Sequence, residues 1–157
     1  IASARDRIFI TSPYYMPNEA ILTALQTAAR SGVDVRIIIP YESDSWAAQY
    51  ASDSYIEENL ESGIRIYRYC KGFMHAKTMV VDDKLATLGT ANLDYRSFAL
   101  NFEITAMIYN TAINDQMAGI FKDDLRECEE VELERWKERG IWRKWKESFS
   151  RLWAPLL

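Results

Sequence analysis

Histidine is nearly absent from this chain: its 157 residues hold a single one, His75, beside two cysteines, Cys70 and Cys128. A histidine-rich metal centre is therefore excluded, and the cysteines match neither a CxxC pair nor a zinc spacing. Two reduced, buried thiols are expected, with no metal and no disulfide. Long hydrophobic runs are missing as well. No stretch reaches the roughly 18–20 apolar residues that a spanning helix needs. Arg5-Asp6-Arg7 interrupts the first apolar stretch, so no signal peptide is expected. The first residue is Ile1 rather than Met. That points to a segment cut from something longer, expected to be soluble as given, with any membrane anchor outside it.

Basic charge is scarce over most of the length. Residues 1–134 carry 12 basic and 21 acidic side chains, a net of −9, whereas residues 135–157 carry 7 and 2, a net of +5. The main body lacks the positive field that holds nucleic acid by its phosphates, so no nucleic-acid partner is expected. What is present is enough for one core. With 48% apolar and 13% aromatic residues, residues 1–157 read as a single domain with a helical, Trp-rich tail over 132–157.

Apolar periodicity supplies the elements. Residues 7–12 read as a strand, and Asn18 caps a helix whose stripe is Ile21, Leu22, Leu25, Ala28 and Ala29. Residues 33–39 read as a β-branched strand, central by its unbroken apolarity, 45–62 as a helix, and 64–69 as an alternating strand. Past Gly72 the pattern turns to hairpins, with strands over 76–81, 85–88 and 102–109. A helix over 113–131 follows, its stripe Ile113, Met117, Ile120, Phe121, Leu125 and Cys128. The order argues for an α/β fold, a mixed sheet flanked by helices on both faces.

The chemistry concentrates between Phe73 and Glu103. His75 and Lys77 stand two apart on a strand and share a face, whereas Asp82 has the opposite parity and is given a structural role. If Asp83-Lys84 is a two-residue hairpin loop, Lys77 lies opposite Thr90 and His75 opposite Asn92. An imidazole, an ammonium, a hydroxyl and a carboxamide then converge beside Gly89, whose missing side chain admits a ligand to the backbone. Phosphoryl chemistry uses such groups: a nucleophile or proton carrier, a cation, and neutral donors for phosphate oxygens. A lone His near a lone Lys is ordinary on a polar strand face. The full pattern H-x-K-x4-D-x6-G-T-x-N is not.

That pattern resembles the HKD motif of the phospholipase D superfamily, as His75, Lys77, Asp82, Gly89, Thr90 and Asn92, with Thr90 where serine is more usual. Glu103 matches the acidic residue that orients the histidine in that superfamily. The stretches TSPYYMPN, AARSGVDVRIIIP, SGIRIYRY, GFMHAKTMVVDD, GTANLDYRSFALNFE and the terminal PLL resemble the second half of bacterial cardiolipin synthases.

The resemblance implies a phospholipase-D-like α/β/α half-unit that works without metal or cofactor. Two HKD motifs face each other; one histidine attacks the phosphodiester to give a phosphohistidine, and the other serves as general acid and base. His75 takes the acid/base role on this reading, Lys77 and Asn92 hold phosphate oxygens, Thr90 supports them, and Glu103 orients His75. The second motif comes from the same polypeptide or from a homodimer. The implied substrate is phosphatidylglycerol, whose phosphatidyl group passes to a second such molecule to give cardiolipin and glycerol, on the cytoplasmic side of a bacterial membrane. A dimerising one-motif nuclease, a phospholipase-D-type hydrolase and a non-catalytic scaffolding half are the rival readings.

Two further segments stay open between packing and lipid. The Tyr14-Tyr15-Met16 loop fits either the core or a lipid entrance. In the tail, Trp142, Trp145, Phe149, Leu152 and Trp153 alternate with Arg143, Lys144, Lys146 and Arg151. That suits a helix on an anionic membrane surface. Trp136 and the residues 154–157 favour the other arrangement, a helix packed back with its aromatics in the core and its cations solvated.

Overall fold

The computed structural model describes residues 1–153. In chain order the elements are β1 (Arg7–Thr11), α1 (Glu19–Arg30), β2 (Asp34–Pro40), α2 (Trp46–Asp53), α3 (Ile56–Glu61), β3 (Arg65–Tyr69), β4 (Thr78–Val81), β5 (Leu85–Gly89), α4 (Tyr95–Ala99), β6 (Thr105–Ile108), α5 (Thr111–Asp124), a 3-10 turn (Leu125–Glu127), β7 (Cys128–Glu130), α6 (Leu133–Lys137) and α7 (Ile141–Trp153). They build one seven-stranded sheet in the order β6-β5-β4-β1-β2-β3-β7. Strands β1, β2 and β3 pair in parallel; every other pairing is antiparallel.

Alternation along the central strands creates the two cores. Ile8, Ile10, Ile37, Ile39 and Ile66 point to the side that Leu22 and Leu25 of α1 and Ile56 of α3 cover. Phe9, Ile38, Tyr67 and Val80 have the other parity and meet Ala118 and Phe121 of α5. There Phe9 and Phe121 stack with centroids 4.7 Å apart. Helices thus cover both faces of a mixed sheet, the α/β/α arrangement read from the sequence. Asn18 caps α1, its side chain accepting from the Ile21 amide at 3.0 Å. No helix among the described residues is long and apolar enough to cross a membrane.

Several elements differ from expectation. The helix read over 45–62 is two, because Ser54 Oγ bonds back to the Ala51 carbonyl at 2.6 Å and closes α2. Asp53, at the end of α2, then reaches the Arg68 guanidinium beneath it. The helix read over 113–131 ends at Asp124, and Cys128–Glu130 becomes the edge strand beside β3. Its buried side is Asn114, Ala118 and Phe121, while Ile113 and Ile120 are exposed. Nor are both thiols buried: Cys70 is exposed and Cys128 half-buried. Burial, then the Asp124 charge, pushes the Cys128 thiol up to about 12.

The tail shows the largest departure. Helix α7 packs back on α2, yet with its polar side inward. Arg139 and Arg143 bind the buried Glu147, Arg143 also reaches Asp53, and Arg151 pairs with Glu58. The aromatics expected in the core face outward. Trp136 does dock, ringed by the guanidinium groups of Arg68, Arg139 and Arg143. The docking residues expected at 154–157 lie outside the described residues.

Candidate active site

The HKD segment enters the sheet at the carboxyl end of β1. Strand β4 runs antiparallel to β1 with Thr78 opposite Thr11, so Lys77 arrives beside Ser12, where β1 stops. Ser12 Oγ donates to the Tyr14 carbonyl (2.7 Å) and accepts from the Leu93 amide (3.1 Å). The Met16 amide donates to the Leu93 carbonyl at 2.7 Å. The stretch after β5 is thereby tied to the loop after β1. Tyr15 and Met16 are buried by this link, and Tyr14 and Met16 also line a depression beside Asn92, so the loop serves both the core and the wall of the site.

Lys77, Gly89 and Asn92 line one pocket of about 140 Å³, with Ser12, Phe98 and Thr105. Burial pushes the Lys77 ammonium down, while the charges of Glu103 and Asp94 act to raise it. Its Nζ donates to the His75 carbonyl at 2.8 Å. The His75 ring lies outside the pocket, exposed, 5.5 Å from the Phe73 ring centroid. Among the described residues no hydrogen bond reaches that ring.

The expected register is off by one. Val81 pairs with Leu85 and Thr78 with Leu88, so the turn holds three residues, Asp82-Asp83-Lys84, and Lys77 faces Gly89, not Thr90. A one-residue slip exchanges the faces of a strand, and the proposed Lys77–Thr90 and His75–Asn92 pairs do not form. The cause is Asp82. Its buried carboxylate accepts from the amides of Arg5, Asp6 and Arg7 at 2.9–3.2 Å, and its φ of 53° starts the turn one residue early. Burial would raise this carboxyl, but the three amides outweigh it and hold it below 3.8.

Gly89 also has a different reason from the one expected. A Cβ there would stand 2.5 Å from the Ile104 carbonyl oxygen and 2.8 Å from Thr105 Cα. The close neighbour is strand β6, not a ligand. Thr90 then turns to β6 as well: its hydroxyl donates to the Glu103 carboxylate and accepts from the Ile104 amide at 3.0 Å. Glu103 binds Thr90 and Asn101 rather than His75. The Thr90 hydroxyl, with Asn101, Ser97 and Lys77 adding against a burial effect, holds Glu103 below the ordinary carboxylate value.

The sequence profile of the family described as "Cardiolipin synthase, PLD-like domain" matches residues 1–125. The chain belongs to this family. Cardiolipin synthase of Geobacillus sp. (strain WCH70) is 48% identical over all 157 residues, which cover 31% of that protein. Cardiolipin synthase 2 of Bacillus anthracis is 47% identical over the same span, 30% of its length. This PLD-like domain therefore spans less than a third of those relatives. Among solved structures, the phospholipase D family member Nuc from Salmonella typhimurium superposes with a TM-score of 0.71 at 24% identity, over 83% of this chain and 84% of that one. Phosphatidylserine synthase of Haemophilus influenzae Rd KW20 gives 0.71 at 19%, over 99% of this chain and 42% of that one. At these identities the likeness establishes the fold. One such unit fills most of the first chain and less than half of the second.

Within the PLD-like domain, three residues that sequence reasoning passed over hold the site in place. Asp94 is buried, caps α4 through the Ser97 amide (2.7 Å), and accepts from Asn92 Nδ2 (3.0 Å). Ser97 Oγ accepts from the Asn92 amide at 3.0 Å, and Ser12 anchors the stretch from the other side. The cap signal was legible as Asp followed three residues on by Ser. Asn92 Oδ1 is buried without a partner among the described residues. The same residue borders a second depression of about 330 Å³ with Tyr14, Arg96 and Asn101. Pocket, cation, carboxamide and exposed imidazole thus share one edge of the sheet.

Proposed function

We propose that this domain is half of a phosphatidyltransferase site, with His75 working opposite the histidine of a second HKD unit. The observation that carries the reading is an open, one-histidine HKD site in a chain 48% identical along its length to a cardiolipin synthase. Exchange at a phosphodiester needs a neutral imidazole to attack and a cationic one to protonate the leaving alkoxide. A lone imidazole cannot be both at once.

In the first step the opposite imidazole attacks phosphorus, a P–N bond forms, and the P–O bond to glycerol breaks. His75, as imidazolium, gives its proton to the departing alkoxide. Neutral His75 then takes the proton from the acceptor hydroxyl, whose oxygen attacks phosphorus and breaks the P–N bond. Lys77 and the Asn92 amide hydrogen left free by Asp94 hold the phosphate oxygens. Glu103 orients His75 once it leaves Thr90, a rotamer change open to a side chain near solvent; Thr90 is then free to support the phosphate. Phosphatidylglycerol is the proposed donor and acceptor, at the cytoplasmic side of a bacterial membrane. Transfer to phosphatidylethanolamine, or hydrolysis, would use the same groups.

The surroundings support a second half. Phe98, Leu100, Phe102 and Ile104 are exposed beside Glu103, an apolar surface of the kind that marks an interface. Covering it would dry the acceptor site, as transfer in preference to hydrolysis requires. The net of −9 over residues 1–134 speaks against the nuclease reading, and the retained HKD set against a scaffolding half. The test is turnover of labelled phosphatidylglycerol by this chain, with its mass fixed by sedimentation. A monomer is expected to produce no cardiolipin, and steady transfer by a proven monomer would overturn the reading.

A further inference from the structure

Helix α7 is built inside out. On a wheel at roughly 100° per residue, Ile141, Leu152, Trp145, Phe149, Trp142 and Trp153 fall on one continuous arc of about 120°, and all six are exposed, Trp142 by 80% and Leu152 by 76%. The opposite side carries Arg143, Glu147 and Ser150, and the last two are buried against the domain. Amphipathic helices on a folded domain ordinarily bury the apolar stripe. Here the ion pairs of Glu147 with Arg139 and Arg143, of Arg143 with Asp53, and of Arg151 with Glu58 fix the polar side inward. The helix cannot roll its aromatics into the core without breaking them.

We propose that the outward face of α7 is a membrane-docking surface that lies in the headgroup layer of an anionic bilayer. The choice of a bilayer as occupant rests on the phospholipid substrate proposed above, and on chemistry visible in the helix. Three of the six arc residues are tryptophan, the side chain that settles at headgroup depth. Lys146 is exposed and borders the arc next to Trp153, while Lys144, half-buried, lines a depression with Glu57, Glu58 and Glu61. Neither has a carboxylate within salt-bridge distance among the described residues, and Lys146 Nζ lies over the Tyr50 ring, 5.6 Å from its centroid. Lysine is depleted from protein–protein interfaces. Flanking an apolar helical face, its stem lies along the acyl boundary and its ammonium reaches lipid phosphate. At about 1.5 Å per residue the helix offers a strip close to 20 Å long, too short and too charged to span the bilayer and suited to lie along it. The arginines of the tail do not compete for this role, since their charge is met by the domain's own carboxylates.

Vesicle binding by the 157-residue chain tests the proposal without reference to turnover. The chain is mixed with phosphatidylcholine vesicles with and without phosphatidylglycerol, and sedimentation is read beside tryptophan quenching by brominated acyl chains. Binding to the anionic vesicles is expected, weakened by salt, with quenching strongest for bromines near the headgroups. The triple variant W142S/W145S/F149S should lose about tenfold or more in partitioning with an unchanged melting temperature, because those side chains touch solvent. H75A should bind as the parent does, so a failure of the catalytic reading leaves this result intact. Binding equal in the triple variant and the parent would overturn the proposal. So would absence of vesicle binding, or a dimer that the triple variant dissolves while lipid is ignored.

Discussion

Asp82 shows how one side chain sets the geometry of a site it does not enter. Three amides from residues 5–7 converge on its carboxylate, and the backbone takes a left-handed turn that Asp and Asn tolerate better than other side chains. Asp82→Asn should therefore keep the turn but lose the charge-assisted bonds, at a cost of about 1.5–3 kcal/mol. Its folded-state carboxyl titrates below the ordinary 3.8. The stabilisation is present above that value and is lost as pH falls through the lower, folded value. Thermal melts should show a constant gap between parent and variant at neutral to mildly acidic pH, closing under stronger acid. A gap that stayed open, or one that first opened in acid, would contradict this account. Their rare spacing marked His75, Lys77 and Asn92 as candidates, and the structure brings Lys77 and Asn92 to one pocket. The register around them was not legible, because it depends on a contact between residues 5–7 and 82 that no local pattern records. The Thr90–Glu103 bond escaped for the same reason: it follows from the close approach of β6 to Gly89.

At the scale of elements, apolar alternation located six of the seven strands and the first helix. It failed where polar residues decide the outcome. Ser54 ends α2 so that Asp53 can meet Arg68, and the edge strand Cys128–Glu130 uses two glutamates that alternate poorly with anything. Helix α7 was read with the wrong side inward because periodicity finds an amphipathic helix but not which face the domain prefers. Here Asp53, Glu57 and Glu58 present carboxylates, and the tail's arginines answer them. Glu147 is central to that network. Burial pushes its carboxyl up, and Arg139 draws it back. Glu147→Ala leaves Arg139, with only 10% of its side chain exposed, on Glu57 as its remaining carboxylate. Because Arg139 keeps Glu57 and Arg143 keeps Asp53, the expected cost is that of lost charge-assisted hydrogen bonds, about 1.5–3 kcal/mol. Denaturant melts should show that loss, with faster amide exchange in α7 and on the facing surface of α2. A variant as stable as the parent would mean that the helix is held by something other than its ion pairs.

For the whole chain, the fold class followed from element order, while the proposal that the site needs a second unit rests on a count of one histidine. Helices cover both faces of the central strands, so the unit holds together as one layered body. Its chemistry does not close in the same way. The His75 ring is exposed, Glu103 is engaged elsewhere, and apolar side chains from Phe98 to Ile104 lie uncovered at the same edge. Catalysis is expected only where another unit supplies an opposing imidazole and a lid over that edge. The deciding measurement is cardiolipin formation from phosphatidylglycerol by a polypeptide of the relatives' full length that carries this segment, with and without H75A. Loss of a general acid and base should lower transfer by about 10²–10⁴-fold, with lipid binding intact. Transfer at the parent rate in H75A would show that this imidazole moves no proton, and the account would fall.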